Sequence, residues 1–112
     1  MHTTQSFIPT FTTVDLAQRQ LPLITLSATK PGPTVWITAA IHGDEVTGTA
    51  VAQSIVKRLQ QHPLKRGTLY VAPLLNPTGF EAIARREQYG EADLNRNFGG
   101  ARQGTPSERL AW

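Results

Sequence analysis

The 112 residues carry 11 Lys and Arg against 8 Asp and Glu, with no cysteine and 39% hydrophobic residues. That length suits one small domain with one core, and without cysteine there is neither a disulfide frame nor a thiolate-held metal, so a metal here must be held by His and carboxylate. The formal charge of +3 comes from cations scattered along the chain, and the nearest thing to a basic patch, Lys57, Arg58, Lys65 and Arg66, lacks aromatic interleaving and suits a helix carboxyl end better than a nucleic-acid face. The opening residues show no basic segment followed by an apolar run, and no stretch is long and apolar enough to span a bilayer. The expectations are therefore no nucleic acid, no membrane, and a cytoplasmic protein.

In chain order, Leu21 to Ala28 reads as a short apolar strand ending at the turn Lys30-Pro31-Gly32-Pro33. Thr34 to Ile41 is a nearly continuous apolar run, which predicts a central strand covered on both faces. After His42-Gly43-Asp44-Glu45 the pattern changes: Val46, Ala50, Ile55, Val56 and Leu59 recur at roughly helical spacing to Gln61, and His62-Pro63 stops them. Gly67 to Leu75 is a further apolar strand, so strand, helix and strand form a βαβ unit with parallel pairing and a right-handed crossover. The fold class is α/β, a mixed and partly parallel sheet with flanking helices.

From Asn76 to Gly104 the chain is polar and Gly-rich, with a short helix expected near Phe80 to Arg85; a segment of that length with little structure is usually functional or disordered. Thr105-Pro106-Ser107-Glu108 marks a helix start, with Thr105 as cap, Pro106 in the first turn and Glu108 three residues on.

Two constellations carry chemistry. His42 and Glu45 stand where the central strand turns into the helix, the end at which open α/β sheets present ligand-binding groups. In a helical turn, residues three apart share a face, so an imidazole nitrogen and a carboxylate can converge on one ion. Against this stands the plainer reading that Asp44 and Glu45 favour a helix amino terminus and His42 is a polar surface residue. The second is Asp93-Leu94-Asn95-Arg96-Asn97-Phe98: Leu94 and Phe98 can anchor a loop, Arg96 and Asn95 can face a carboxylate, and Asp93 can hold Arg96 or the loop. By itself this reads more readily as a loop fixed by an Asp-Arg ion pair. Arg85 and Arg86 are further cations, one of which can face a developing oxyanion.

Taken together, His42-Gly43-Asp44-Glu45, Asn76-Pro77-Thr78-Gly79-Phe80, Arg85 and Asp93-Leu94-Asn95-Arg96-Asn97-Phe98 resemble, in order and spacing, the succinylglutamate desuccinylase and aspartoacylase family, zinc enzymes related to the carboxypeptidases. The resemblance runs from about Val35 to Gly100. It implies a zinc cofactor with His42 and Glu45 as ligands, Asn95 and Arg96 gripping the carboxylate of a small-molecule substrate, and Arg85 polarising the scissile carbonyl. The expected activity is hydrolysis of an amide or peptide bond in a substrate such as an N-acyl amino acid.

Two departures stand beside it. Gly99 occupies a place where the family ordinarily has Pro, and the family's second zinc His and general-base Glu lie beyond the Asn-Arg motif, so residues 1–112 are expected to be a single domain forming the amino-terminal part of a zinc hydrolase catalytic domain, a truncated carboxypeptidase-like fold. His62, His2, Glu87, Glu91 and Glu108 are not placed by the sequence to stand in. The alternative is an inactive or partner-dependent chain of the same fold, with an exposed sheet edge open to self-association.

Overall fold

A computed structural model describes all 112 residues. Its frame is the expected strand-helix-strand unit: β3 (Thr34–Thr38), α1 (Val46–Gln61) and β4 (Thr68–Ala72). β3 and β4 pair in parallel with Val35 opposite Leu69 and Ile37 opposite Val71. α1 lays Ala52 and Val56 onto Leu69, Val71 and Leu26, with Ile24, Ile37, Ala39 and Leu59 packed around them. Ala52, Val56 and Leu59 fall four and three apart, which puts them on one helical stripe.

The sheet has four strands in the order β1-β2-β4-β3, β1 being His2–Thr12 and β2 Gln18–Ser27. β1 and β2 form an antiparallel hairpin, and β2 runs antiparallel to β4 over Ile24 to Ser27. β1 was not legible beforehand: His2 to Thr12 is largely polar and mostly exposed, and it contains Pro9, which an edge strand tolerates. Pro22 sits in β2 opposite Phe7, outside the stretch that β4 also pairs, so its missing N–H costs only one possible ladder.

The expectation of a central strand at Thr34 to Ile41 is corrected. Within these residues β3 is the sheet edge, bonded to β4 alone, and the doubly paired strands are β2 and β4. Val35 and Trp36 are about half exposed, and the Trp36 indole stacks on Tyr70 of β4 at 4.6 Å between ring centres. An apolar run records the faces a strand is suited to cover; its neighbours decide whether they are covered. The side chains and free backbone edge of β3 remain suited to a further strand.

Beyond β4 the chain forms α2 (Pro77–Glu81), a 3-10 turn at Leu94–Arg96, and α3 (Pro106–Ala111). α2 therefore begins at the Asn76 cap and ends before Arg85, earlier than the sequence suggested. α3 has the expected capping box in full, Thr105 and Glu108 each bonding the other's backbone N–H. A second small core of Leu21, Leu94 and Leu110 joins the hairpin, the 3-10 turn and α3, with Ile41 and Leu75 packed on it. The hairpin braces this region again where Arg19 pairs with Glu81 at 3.4 Å and donates to the Tyr89 hydroxyl at 3.1 Å. No helix is long and apolar enough to cross a membrane.

Candidate functional site

The carboxyl ends of β3 and β4 are stitched together beyond their ladder. Leu75 N–H donates to Ala39 O and Asn76 N–H to Ala40 O, at 2.9 and 3.1 Å, so the two segments stay bonded to each other past the end of the ladder, as far as Ala40. Ala40 is buried with φ of 53°, a left-handed conformation that costs a non-glycine residue and tends to mark functional turns. His42 follows at once, 6% exposed.

Both ring nitrogens of His42 are engaged. Nδ1 lies 2.9 Å from Glu45 Oε1 and Nε2 lies 3.0 Å from Asp93 Oδ1. The His42–Glu45 spacing is thus produced by a turn, closed by Glu45 N–H donating to His42 O at 3.1 Å. Glu45 takes the cap position of α1 without capping it with its side chain, which leaves the carboxylate to face the imidazole and, at 3.5 Å, Arg85 Nη1. Gly43 is held in place by its neighbours. A Cβ there would lie 2.1 Å from Gly79 C and 2.4 Å from Ala84 O, so glycine is needed for the close approach of the Gly79–Arg85 segment.

Asp93 is the residue whose partner the sequence left unsettled. It holds His42 rather than Arg96, and its Oδ1 also accepts from Asn95 N–H at 3.0 Å, while Asn97 Nδ2 donates to its carbonyl at 2.7 Å. The His42 hydrogen bond is the main reason its carboxyl lies below the usual carboxylate value, helped by the Asn95 amide and the nearby Arg85. The loop is fixed by this contact and by Leu94, buried as expected; Phe98, expected as a second anchor, is 61% exposed. Asn95 and Arg96 both face solvent, Arg96 Nη1 bonding only the Asn95 carbonyl at 3.0 Å. Beside Glu45 a cleft of about 430 Å3 is lined by Ala39, Ile41, Leu75, Asn95 and Phe98.

The donor set around His42 fits a metal ion. A metal-bound histidine usually gives its other ring N–H to a carboxylate, which fixes the tautomer. A tautomer that gives Nε2–H to Asp93 would turn the Nδ1 lone pair toward a Glu45 oxygen, an arrangement that a cation between the two would relieve. Zinc–nitrogen and zinc–oxygen bonds of about 2 Å are compatible with two donors at this spacing. No three His, Asp or Glu side chains converge on one point, so His42 and Glu45 would offer an ion two donors and no third. His62 caps the far end of a 16-residue helix, about 24 Å away. Glu87 is fully buried among Thr78, Tyr89, Gly90 and Ser107, and Glu108 belongs to the capping box.

Residues 31–112 match the family described as the succinylglutamate desuccinylase/aspartoacylase catalytic domain. The chain belongs to that family. A succinylglutamate desuccinylase of Pseudomonas paraeruginosa is 33% identical over 85 residues, 76% of this chain and 25% of the relative. Among solved structures, an aspartoacylase family protein of Mesorhizobium loti superposes with a TM-score of 0.87 at 28% identity, covering 97% of this chain and 34% of that one. A metallo-carboxypeptidase of Burkholderia cenocepacia gives 0.73 at 28% identity, covering 96% and 31%. The chain thus spans about a quarter of the curated relative and a third of the solved structures, and its mixed sheet is that of the desuccinylase/aspartoacylase and metallo-carboxypeptidase folds. The hairpin, residues 1–30, lies ahead of the matched region yet braces the loop that carries Asn95 and Arg96. Gly99 takes a φ of 95°, which a proline ring cannot reach.

Proposed function

We propose that these residues form, as a single domain, the amino-terminal part of the catalytic domain of a zinc-dependent hydrolase that cleaves the amide bond of a small carboxylate-bearing substrate, an N-acyl amino acid being the type, in the cytoplasm. The observation that carries the reading is the His42 ring held between Asp93 and Glu45 with Arg85 alongside. Family membership supports the class of reaction; the cofactor, the substrate and the residue roles are the proposal.

In this reading His42 Nδ1 and Glu45 hold the metal, and Asp93 fixes the imidazole tautomer. Zinc, when bound, supplies Lewis acidity that activates water and polarises an amide carbonyl. Arg85 lies close enough to Glu45 to oppose negative charge developing on that carbonyl oxygen. Asn95, which lines the cleft, and its exposed neighbour Arg96 take the substrate carboxylate and so turn binding energy into positioning. A third ligand and a general base have no counterpart among the groups facing the site.

A second reading, a chain that is inactive alone and works with a partner supplying the remainder, is favoured by the free edge of β3 and its exposed Trp36. Metal analysis and calorimetry of the purified chain test the first reading, with His42→Ala and Glu45→Ala as controls. Stoichiometric zinc that is lost in both variants supports it. Zinc uptake no greater than in the variants sinks the metal role of these residues.

A further inference from the structure

Asn76 is fully buried, and every polar atom it has is used. Its backbone N–H donates to Ala40 O at 3.1 Å and its carbonyl accepts from Phe80 N–H at 3.0 Å. Its side-chain Oδ1 accepts from Gly79 N–H at 3.0 Å, capping α2. Its Nδ2 donates twice, to Ile41 O at 3.3 Å and to Arg85 O at 3.4 Å. Ile41 precedes His42, and Arg85 reaches Glu45, so one amide group spans the backbones of two separate parts of the site. Beside it Gly43 N–H donates to the same Arg85 carbonyl at 3.2 Å.

Capping α2 needs only an acceptor, which Asp or Ser supplies equally well. The two donated bonds need an amide, since a carboxylate would set an oxygen against two carbonyl oxygens in a buried place. The local geometry therefore asks for Asn on account of the bridge.

We infer that Asn76 is a positioning residue that sets the distance between the His42–Glu45 pair and Arg85 by tying the Ile41 and Arg85 carbonyls to one side-chain amide. This rests on the roles proposed above for the three residues it joins. The bridge keeps the guanidinium beside Glu45, where it would compete with a metal for the carboxylate and hold a positive charge near such an ion.

Two measurements decide it. The first needs no metal: amide hydrogen exchange in the presence of chelator. Asn76→Asp keeps the α2 cap and deletes the bridge; Asn76→Ala deletes both. Both should speed exchange of the Gly43 N–H about ten-fold or more while Val56 in α1 and Val71 in β4 stay protected. Unchanged Gly43 exchange in both variants overturns the proposal. Should neither variant fold, the wild-type protein decides, because the Asn76 side-chain N–H protons must exchange far more slowly than those of exposed Asn95; equal rates overturn it.

The second measurement is zinc affinity by calorimetry for the wild type, Asn76→Ala, Arg85→Ala and the double variant. Arg85→Ala should tighten zinc about three- to ten-fold by removing the competing cation, and Asn76→Ala should tighten it in the Arg85 background and add nothing in the Arg85→Ala background. A merely structural Asn76 would weaken zinc by the same factor in both backgrounds, and that result overturns the inference. Absence of zinc binding by the wild type would instead remove the metal reading of His42 and Glu45, and the bridge would stand or fall on the exchange data.

Discussion

The turn from Ile41 to Glu45 and the loop from Asp93 to Phe98 contribute the two halves of the candidate site, and they are built differently. In the turn, His42 is buried with both ring nitrogens engaged, and Gly43 is wedged against Gly79 and Ala84. In the loop, Asp93 and Leu94 are tied down while Asn95, Arg96 and Phe98 face solvent. Folding therefore sets the geometry of the proposed metal half. The proposed carboxylate half keeps side-chain freedom that a substrate would have to restrict on binding. Substitutions in the turn should be felt by the fold, and those at the loop's exposed positions by the ligand.

The largest effect is expected from Gly43→Ala. Its added Cβ would overlap backbone atoms of Gly79, Phe80 and Ala84, which cannot swing aside as a side-chain tip can, so destabilisation should exceed about 3 kcal/mol. Urea unfolding would measure it. A loss under about 1 kcal/mol would mean that the two segments separate easily, and the contrast between turn and loop would dissolve.

Next comes Glu87→Gln, a test of how far the turn's rigidity depends on the scaffold behind it. Glu87 Oε1 accepts from Tyr89 N–H and Thr78 Oγ1, and Oε2 from Gly90 N–H and Ser107 Oγ. Each oxygen faces a backbone donor, so a glutamine must point its NH2 at one of them in either orientation. The expected cost is about 3 kcal/mol, with zinc affinity changed by less than about three-fold because Glu87 touches neither His42 nor Glu45. A matching fall in metal affinity would show that the turn borrows its geometry from this network.

That network also marks the limit of what the sequence made legible. The strand-helix-strand unit was readable because its apolar periods are local, and the capping box of Thr105 and Glu108 because a cap is a property of four adjacent residues. His42 and Glu45 stood out by their spacing and their place at a strand end, and their proposed role as ligands came from the family resemblance. Asp93 was visible, but its choice of His42 over Arg96 joins residues 51 apart and no local pattern carries it. The same holds for Glu87 with Ser107 and for Asn76 with Ile41 and Arg85. β3 misled for a related reason, since a residue pattern says what a strand can bury and the other strands say what it does bury.

Asp93→Asn sharpens the comparison at the hydrogen bond that joins the two halves. The amide oxygen still accepts from His42 Nε2, so the ring stays oriented, but the charge that strengthens the imidazole as a ligand is gone. Losing such an outer carboxylate typically lowers metal affinity by about 10- to 100-fold. Calorimetry against the wild type reads this directly, and an unchanged affinity would leave Asp93 as a loop anchor with no influence on the turn.

The smallest effect on the fold, and the most selective on function, is expected from Arg96→Ala. The side chain is exposed and bonds only a neighbouring carbonyl, so stability should move by no more than about 0.5 kcal/mol. Zinc affinity should hold, since Asp93 and not Arg96 reaches His42. Binding of a carboxylate-bearing acyl amino acid should fall by the worth of a charge-assisted hydrogen bond, about 1.5 to 3 kcal/mol, or roughly 10- to 150-fold. A neutral ester of the same compound should lose less than about three-fold, because it offers the guanidinium no anion to pair with. Equal losses on acid and ester would show that Arg96 shapes the loop and does not read the substrate's charge, and the two halves of the site would then differ in mobility without differing in task.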